Sequence, residues 1–147
     1  MSATDRRPPY RYSFQTRVGF DETDAAGIVY YGRYMPYFDR ARVAYLRHLD
    51  LLDGGRGAGV ARFVMRAQHV AYHAPAVFDD ELEVFVRVRR IGRTSITWEF
   101  DAVHLDSDTH LAGASQTLVH VDGDRRPLEV PALVRTQVAG FEWELES

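Results

Sequence analysis

The hydrophobic period of this chain changes once near its N-terminus, and that change limits the folds it can adopt. From Tyr10 to Phe20, apolar and aromatic residues alternate with polar ones, which predicts a half-buried strand. From Tyr34 the apolar residues recur at three- and four-residue steps, which predicts an amphipathic helix of about four turns. Pro36 fits only in the first turn of a helix, so we expect this helix to begin near residues 33–35.

The second half of the chain alternates again, in four runs joined by short turns. The runs are Phe63 to Tyr72, Glu81 to Arg89, Ser95 to Ala102 and Leu111 to Val121. A phase slip near His69 predicts a bulge in the first of them, and residues 131–138 predict a short helix or an irregular piece. Because short links favour antiparallel neighbours, the order predicts an α+β fold, with a long helix on a curved antiparallel sheet of about five strands.

Composition narrows the class of protein. With 147 residues, 46% of them apolar, we assign residues 10–147 to a single domain and residues 1–9 to a flexible tail ending in Pro8 and Pro9. A net charge of −3 gives no basic field for nucleic acid. The absence of cysteine excludes disulfides and thiolate chemistry and is typical of a reducing compartment, here the cytoplasm. No apolar run is long enough for a signal peptide or a membrane span, so we expect no membrane partner.

A tight, acidic turn precedes the predicted helix and carries Asp21, Glu22 and Asp24. A helix start offers unpaired backbone N–H groups and the positive end of the helix dipole. A carboxylate near such donors would provide a nucleophile or base beside an oxyanion site. The structural alternative for Asp24 is a cap or an Asx-turn, although it precedes the helix interior by about nine residues, too early for a simple N-cap. Asp21 and Glu22 are either solvated or support the turn of Asp24.

The sequence lacks the motifs of a phosphate-binding loop, a metal site and a serine nucleophile. The loop Asp53 to Gly59 matches neither a P-loop nor G-x-G-x-x-G, which favours a connector. His69 and His73 would stand about 13 Å apart on a strand, too far for one metal ion. Ser115 lacks the second glycine of a nucleophile elbow. We therefore predict neither a metal site nor a serine triad.

The acidic turn also resembles a known family. Residues 23–34 read T-D-A-A-G-I-V-Y-Y-G-R-Y, and D-R-A-R follows at residues 39–42. This resembles the signature D-x-D-x-x-G-x-V-x-Y-x-x-Y of hotdog-fold acyl-CoA thioesterases, in particular the 4-hydroxybenzoyl-CoA thioesterase-like group. Residues 72–80, 91–95 and 125–131 look like further family segments, in family order. The resemblance covers nearly the whole chain and implies the hotdog fold.

The resemblance implies roles for residues of the acidic turn. Asp24 matches the catalytic carboxylate, as nucleophile or as general base on water. Gly27 would let the thioester approach the backbone, and the backbone N–H of Tyr31 would polarise the thioester carbonyl. Tyr30 and Tyr34 would bind the acyl group in an aromatic pocket. The alternative for these tyrosines is packing around the helix and the strand ends.

Further binding residues are implied at the predicted turn between the second and third of the four strands. Thr94 and Ser95 match positions whose side chains, in relatives, reach the active site across a subunit boundary; ordinary turn hydroxyls are the alternative. Arg89 and Arg93 belong to a basic cluster suited to the phosphates of CoA, with a solvated strand face as the alternative.

The function implied by the resemblance is hydrolysis of acyl-CoA, or of acyl on a carrier protein, to free acid and thiol without cofactor or metal. Relatives join two sheets edge to edge, so we expect a homo-oligomer, a dimer or a tetramer. A non-catalytic hotdog module that binds acyl-CoA or serves in assembly is the alternative from another class. A hotdog dehydratase is disfavoured because the residues match the thioesterase signature. Whether the acyl group is aromatic or aliphatic is left open.

Overall fold

The computed structural model describes residues 2–52 and 62–146. Within them the elements follow in the order β1 Ser2–Ala3, β2 Tyr12–Arg17, α1 Tyr34–His48, β3 Phe63–Tyr72, β4 Glu81–Ile91, β5 Ser95–His104, β6 His110–His120 and α2 Ala132–Phe141. Two single-turn 3-10 helices, Phe20–Glu22 and Tyr31–Arg33, lie between β2 and α1. The predicted glycine-rich connector at residues 53–59 lies outside the described residues.

The strands form one antiparallel sheet in the order β1-β2-β4-β5-β6-β3. Tight turns join β4 to β5 and β5 to β6, so these three strands are neighbours in space as in sequence. The strand β3 follows α1 and pairs with β6 at the far edge. The predicted α+β arrangement of a long helix and an antiparallel sheet is confirmed.

The helix α1 packs on one face of the sheet through aromatic side chains. Phe38 lies 5.1 Å from Phe100 and Tyr45 lies 5.1 Å from Trp98, measured between ring centroids. Trp98 and Phe100 are two residues apart on β5, so their side chains leave the same face of the sheet. The predicted helical face is therefore the buried one, and its first turn places Tyr34 beside the acidic turn.

Three local predictions differ from the structure. β2 ends at Arg17, and Phe20, predicted on the buried face, is 77% exposed in the first 3-10 turn. The reason is that Val18 hydrogen-bonds to the backbone of Asp79 and Asp80 (3.0 and 2.9 Å), which draws the chain away from the ladder. The bulge of β3 lies between Met65 and Ala67, earlier than predicted, and the C-terminal helix continues to Phe141.

The residues assigned to an N-terminal tail lie against the face of the sheet opposite α1. Ser2–Ala3 pairs with β2. Arg6 forms an ion pair with the buried Glu83, and Arg7 Nε lies 3.0 Å from Asp101 Oδ2. These contacts add a short sixth strand to the expected sheet; the flexibility of residues 1–9 and the domain limits stay predictions.

Candidate active site

The turn that carries Asp24 is closed by its own side chain. Asp24 Oδ1 accepts hydrogen bonds from the backbone N–H groups of Ala26 (2.8 Å) and Ile28 (3.2 Å). Gly27 sits between them with φ of 77°, the left-handed region that favours glycine. The Asx-turn alternative is thus present, but it uses one carboxylate oxygen only. Within residues 2–52 and 62–146, Oδ2 has no hydrogen-bond partner.

The segment that links β3 to β4 holds the turn of Asp24 through backbone hydrogen bonds. Val29 N–H donates to Ala76 O at 2.9 Å, and Phe78 N–H donates to Gly27 O at 3.1 Å. The backbone of Asp24 also donates to Ile28 O at 2.9 Å. The acidic turn is therefore held by the backbone on both flanks, which gives Asp24 a defined position.

A cavity of about 470 Å³ opens beside Asp24, within the size range of small-molecule sites. It is lined by Asp24, Ile28, Val29, Tyr30, Tyr31, Tyr34, Tyr72, His73, Ala74 and Pro75. Four predicted site residues, Asp24 and the three tyrosines at 30, 31 and 34, thus line one cavity, and Gly27 lies in the turn between the lining residues Asp24 and Ile28. The segment 72–75 was missed as a site; its Y-x-x-P-A pattern was the available signal.

Tyrosines form one wall of the cavity. The ring centroids of Tyr31 and Tyr72 lie 4.5 Å apart with the rings tilted, and the Tyr72 hydroxyl donates to Tyr31 O at 3.2 Å. Tyr34 lies 5.7 Å from Tyr72 and is almost fully buried. Burial raises the pKa of Tyr34 to about 12, so its hydroxyl stays protonated at neutral pH. The planes of Tyr31 and Tyr34 meet that of Tyr72 at 36° and 64°, so the wall is an aromatic surface of inclined rings.

The backbone at the end of this wall offers hydrogen-bond donors. Tyr30 is extended, and the 3-10 turn Tyr31–Arg33 runs directly into α1. The N–H groups of Tyr31 and Gly32 have no acceptor in the described part of the chain. Such groups at a helix start attract negative charge.

Glu22 differs from the neighbouring Asp21. Asp21 is exposed, whereas Glu22 is buried and accepts hydrogen bonds from the Tyr37 hydroxyl and from Gly19 N–H. Of the two alternatives predicted for Glu22, solvation is wrong and support of the turn agrees with the contacts.

The two arginines predicted to bind CoA, Arg89 and Arg93, do not line the cavity beside Asp24 of their own chain. Arg89 Nη1 is 3.1 Å from Glu99 Oε2, and Arg89 Nε is 3.6 Å from Glu146 Oε2. Arg93 is 72% exposed and has Glu129 at 3.9 Å. Neither lines the cavity beside Asp24, so a role in binding CoA phosphates stays a prediction.

Thr94, in the turn between β4 and β5, and Ser95, the first residue of β5, also lie outside the cavity lining. Thr94 O accepts His120 N–H at 2.8 Å, and Ser95 O accepts Gly92 N–H at 2.8 Å. Their backbone groups therefore serve the sheet, and a role of their side chains across a subunit boundary stays a prediction.

Residues 18–138 match the family model of the thioesterase-like superfamily. This stretch contains the acidic turn, α1 and the whole cavity lining. The chain belongs to the thioesterase-like superfamily.

A similar protein of this superfamily is the acyl-CoA thioester hydrolase YbgC of Escherichia coli. It is 33% identical over 133 residues, which cover 89% of this chain and 96% of that protein. The predicted family and the predicted enzyme class, thioester hydrolase, are confirmed.

Solved structures of thioesterases share the fold. A thioesterase of Thermus thermophilus, crystallised with coenzyme A and Zn, has a TM-score of 0.73 at 27% identity, covering 91% of this chain and 94% of that one. A thioesterase superfamily protein of Jannaschia sp. has a TM-score of 0.83 at 23% identity, covering 96% and 89%. The hotdog fold predicted for this thioesterase-like chain is confirmed.

The described residues contain neither a metal-binding cluster nor a helix that could cross a membrane. Among residues 2–52 and 62–146, no group of three or more histidine, cysteine, aspartate or glutamate side chains is arranged to hold a metal ion. In the same residues, neither helix combines the length and the hydropathy needed to cross a membrane.

Proposed function

We propose that this protein hydrolyses acyl-CoA thioesters to a free acid and CoA in the cavity beside Asp24. The observation that carries the proposal is that Asp24 and Tyr31 line the same cavity. Within the described residues, Asp24 Oδ2 has no hydrogen-bond partner and the Tyr31 N–H has no acceptor. Membership of the thioesterase-like superfamily and the acyl-CoA thioester hydrolase relatives support the reaction.

In the proposed reaction, Asp24 Oδ1 stays in the turn and Oδ2 does the chemistry. The two N–H bonds to Oδ1 fix the plane of the carboxylate before the reaction begins. As a nucleophile, Oδ2 adds to the thioester carbon and expels the CoA thiolate, and water then cleaves the mixed anhydride. As a base, Oδ2 takes a proton from a water that adds to the same carbon. Both routes expel the same thiolate.

The backbone at the start of the helix would supply the second half of the chemistry. Each route places negative charge on the thioester oxygen, and the Tyr31 N–H has no acceptor in the described chain. Donors that are already oriented stabilise such a charge without reorganising. Gly27, with no side chain, leaves space for the acyl carbon to come close to the turn.

The acyl group and CoA would use different parts of the surface. The wall of Tyr30, Tyr31 and Tyr34 offers stacking area for the acyl group. Arg93, exposed and only distantly paired, is the better placed of the two arginines for CoA phosphates, because Arg89 already has two carboxylate partners.

The edge strand β3 supports a homo-oligomer. Val64, Met65 and Tyr72 expose more than two fifths of their surface along this strand (44%, 43% and 42%). A long edge with exposed apolar side chains favours pairing with another strand. A second copy on β3 would cover them, and such an assembly is the condition for Thr94 and Ser95 to act across a boundary. Light scattering at micromolar concentration tests this; a fully active monomer would contradict it.

Thiol release tests the activity. We expect wild-type protein to release CoA from benzoyl-CoA, a fatty acyl-CoA or both, and the panel also separates an aromatic from an aliphatic acyl preference. Asp24→Asn should lose the activity and still bind the substrate. If wild-type protein binds acyl-CoA and releases no thiol from any member of the panel, the non-catalytic module is the better description.

A further inference from the structure

Glu22 is a buried carboxylate that the proposed reaction does not use. It closes the 3-10 turn Phe20–Glu22, two residues before Asp24, and is 8% exposed. Its Oε1 accepts two hydrogen bonds, from the Tyr37 hydroxyl at 2.8 Å and from Gly19 N–H at 2.8 Å. Its Oε2 lies 3.8 Å from Arg40 Nη1. Because Tyr37 and Arg40 belong to α1, this carboxylate ties the acidic turn to the helix.

The hydrogen bonds of Glu22 compensate for its burial. Burial raises the pKa of Tyr37 above its usual value, and the bond to Glu22 raises it further, so the hydroxyl remains a donor. A buried carboxylate costs free energy unless it is bonded in this way, which indicates a role beyond filling space.

The turn transmits the position of Glu22 to Asp24. Thr23, the residue between them, donates from its N–H and its hydroxyl to Phe20 O at 3.2 and 2.8 Å. On the other side, Tyr37 stands one helical turn after Tyr34, which lines the cavity. Glu22 therefore connects the turn that carries Asp24 to the helix whose first residue, Tyr34, lines the same cavity.

We infer that Glu22 is a positioning residue, which holds the acidic turn against α1 and so sets the place of Asp24 relative to the N–H groups at the helix start. The inference rests on the proposed role of Asp24. A displacement of about 1 Å in a reacting group can cost about 10²-fold in rate, so a loose turn should lower kcat while the acyl wall still binds.

Three substitutions separate the hydrogen bonds of Glu22 from its charge. Glu22→Ala removes both bonds to Oε1. Tyr37→Phe removes only the donor from α1 and keeps the ring. Glu22→Gln keeps an acceptor oxygen for both donors and removes the charge, and Arg40, half exposed, can turn to solvent. Asp21→Ala is the matched control, because Asp21 is the adjacent, exposed carboxylate.

We expect Glu22→Ala to lower kcat for thioester hydrolysis by up to about 10²-fold with KM nearly unchanged. Tyr37→Phe should lower kcat less, whereas Glu22→Gln and Asp21→Ala should stay near wild type. In an Asp24→Asn background, Glu22→Ala or Tyr37→Phe should cause no further loss, since both act through Asp24. A purely structural role would lower the melting temperature without this non-additivity.

A Glu22→Ala variant with wild-type kcat, or one that multiplies the loss caused by Asp24→Asn, would overturn the inference. If Glu22→Ala does not fold, Tyr37→Phe alone and with Asp24→Asn makes the same test. The proposed role of Asp24 fails separately if Asp24→Asn keeps more than about a tenth of wild-type kcat, and the role of Glu22 then fails with it. An inactive Asp24→Asn beside a fully active Glu22→Ala removes only the positioning role.

Discussion

The acidic turn with Asp24 and the C-terminal segment with Glu142 each hold a carboxylate beside α1, in opposite surroundings. Asp24 is exposed at a cavity, and its Oδ2 has no partner in the described chain. Glu142 is buried, and its Oε2 accepts hydrogen bonds from the Tyr45 hydroxyl and from Val88 N–H. Each carboxylate thus has one oxygen without a hydrogen-bond partner in the described residues, but Glu142 Oε1 is buried, whereas Asp24 is exposed at the cavity. A substrate can therefore reach the first carboxylate, and the second joins elements of the fold.

The C-terminal segment lies beside β4, beyond the N-terminal end of β2. β2 pairs with β4 only as far as Val86. Beyond Val86, Glu142 accepts a hydrogen bond from the Val88 N–H, and Glu146 forms a β-bridge with Arg90. Outside this contact, the Arg11 guanidinium lies 4.9 Å from the Phe141 ring and 4.6 Å from the Trp143 ring. We therefore expect this region to serve stability and, under the proposed function, the acidic turn to serve activity.

The largest expected effect is on the activity side. Asp24→Asn keeps an oxygen that accepts the Ala26 and Ile28 N–H groups but removes the reacting carboxylate, so kcat should fall by about 10²–10⁴-fold. KM and the melting temperature should change little. Steady-state kinetics measure kcat and KM, and thermal unfolding measures the melting temperature, with Asp21→Asn as the control. Retention of more than about a tenth of kcat would end the assignment.

Glu142→Ala should produce the opposite result, a loss of stability without a loss of kcat. It leaves the Tyr45 hydroxyl and the Val88 N–H without their acceptor, at about 1–3 kcal/mol for each buried group left unpaired. Denaturant unfolding measures the loss, and kcat should be measured well below the unfolding transition. An active-site defect at full stability would contradict the division between the two regions.

Glu142 should also make stability depend on pH. Burial raises the pKa of Glu142 above its ordinary value of 4.5, opposed by the bonds from Tyr45 and Val88 and by the charges of Arg87 and Arg11. The folded protein therefore binds the Glu142 proton more tightly than the unfolded chain does. The contribution of this proton to the free energy of unfolding is complete below about pH 4.5 and is lost as pH rises through the folded-state pKa. Glu142→Gln cannot ionise.

Denaturant unfolding at several pH values compares the two proteins. The free energy of unfolding of Glu142→Gln, relative to wild type, should increase as pH rises above about 4.5. A difference that is constant across this window would mean that Glu142 titrates alike in the folded and the unfolded chain.

The smallest expected effect separates the two arginines. Arg93→Ala should raise KM for acyl-CoA by the equivalent of about 0.2–1 kcal/mol, because Arg93 is exposed and its one close carboxylate in the described chain is Glu129 at 3.9 Å. Arg89→Ala should change KM less, since Glu99 and Glu146 already hold Arg89. Neither should affect an acyl-pantetheine, which lacks the nucleotide. Equal losses on both substrates would point to the chemistry or to the fold.

Sequence periodicity predicted the elements well where burial is one-sided. The period of α1 predicted its start near residue 34 and its buried aromatic face, because an amphipathic helix records its orientation in its own residues. The prediction that Phe20 is buried was wrong because the position of Phe20 depends on backbone hydrogen bonds between Val18 and residues 79–80, which are far away in the chain. The bulge of β3 was misplaced because pairing with β6 decides the register.

In the candidate site, too, local features could be predicted from the sequence, and contacts between distant residues could not. The motif around Asp24 and Gly27, its place before a helix and the tyrosines that follow are local in sequence, so the sequence by itself determined them. Only the tertiary structure decided that Tyr72 to Pro75 close the cavity, that Glu22 is buried against Tyr37, and that Glu142 reaches Val88. Those contacts join residues far apart in the chain, and burial of a charged side chain depends on donors that folding alone brings to it.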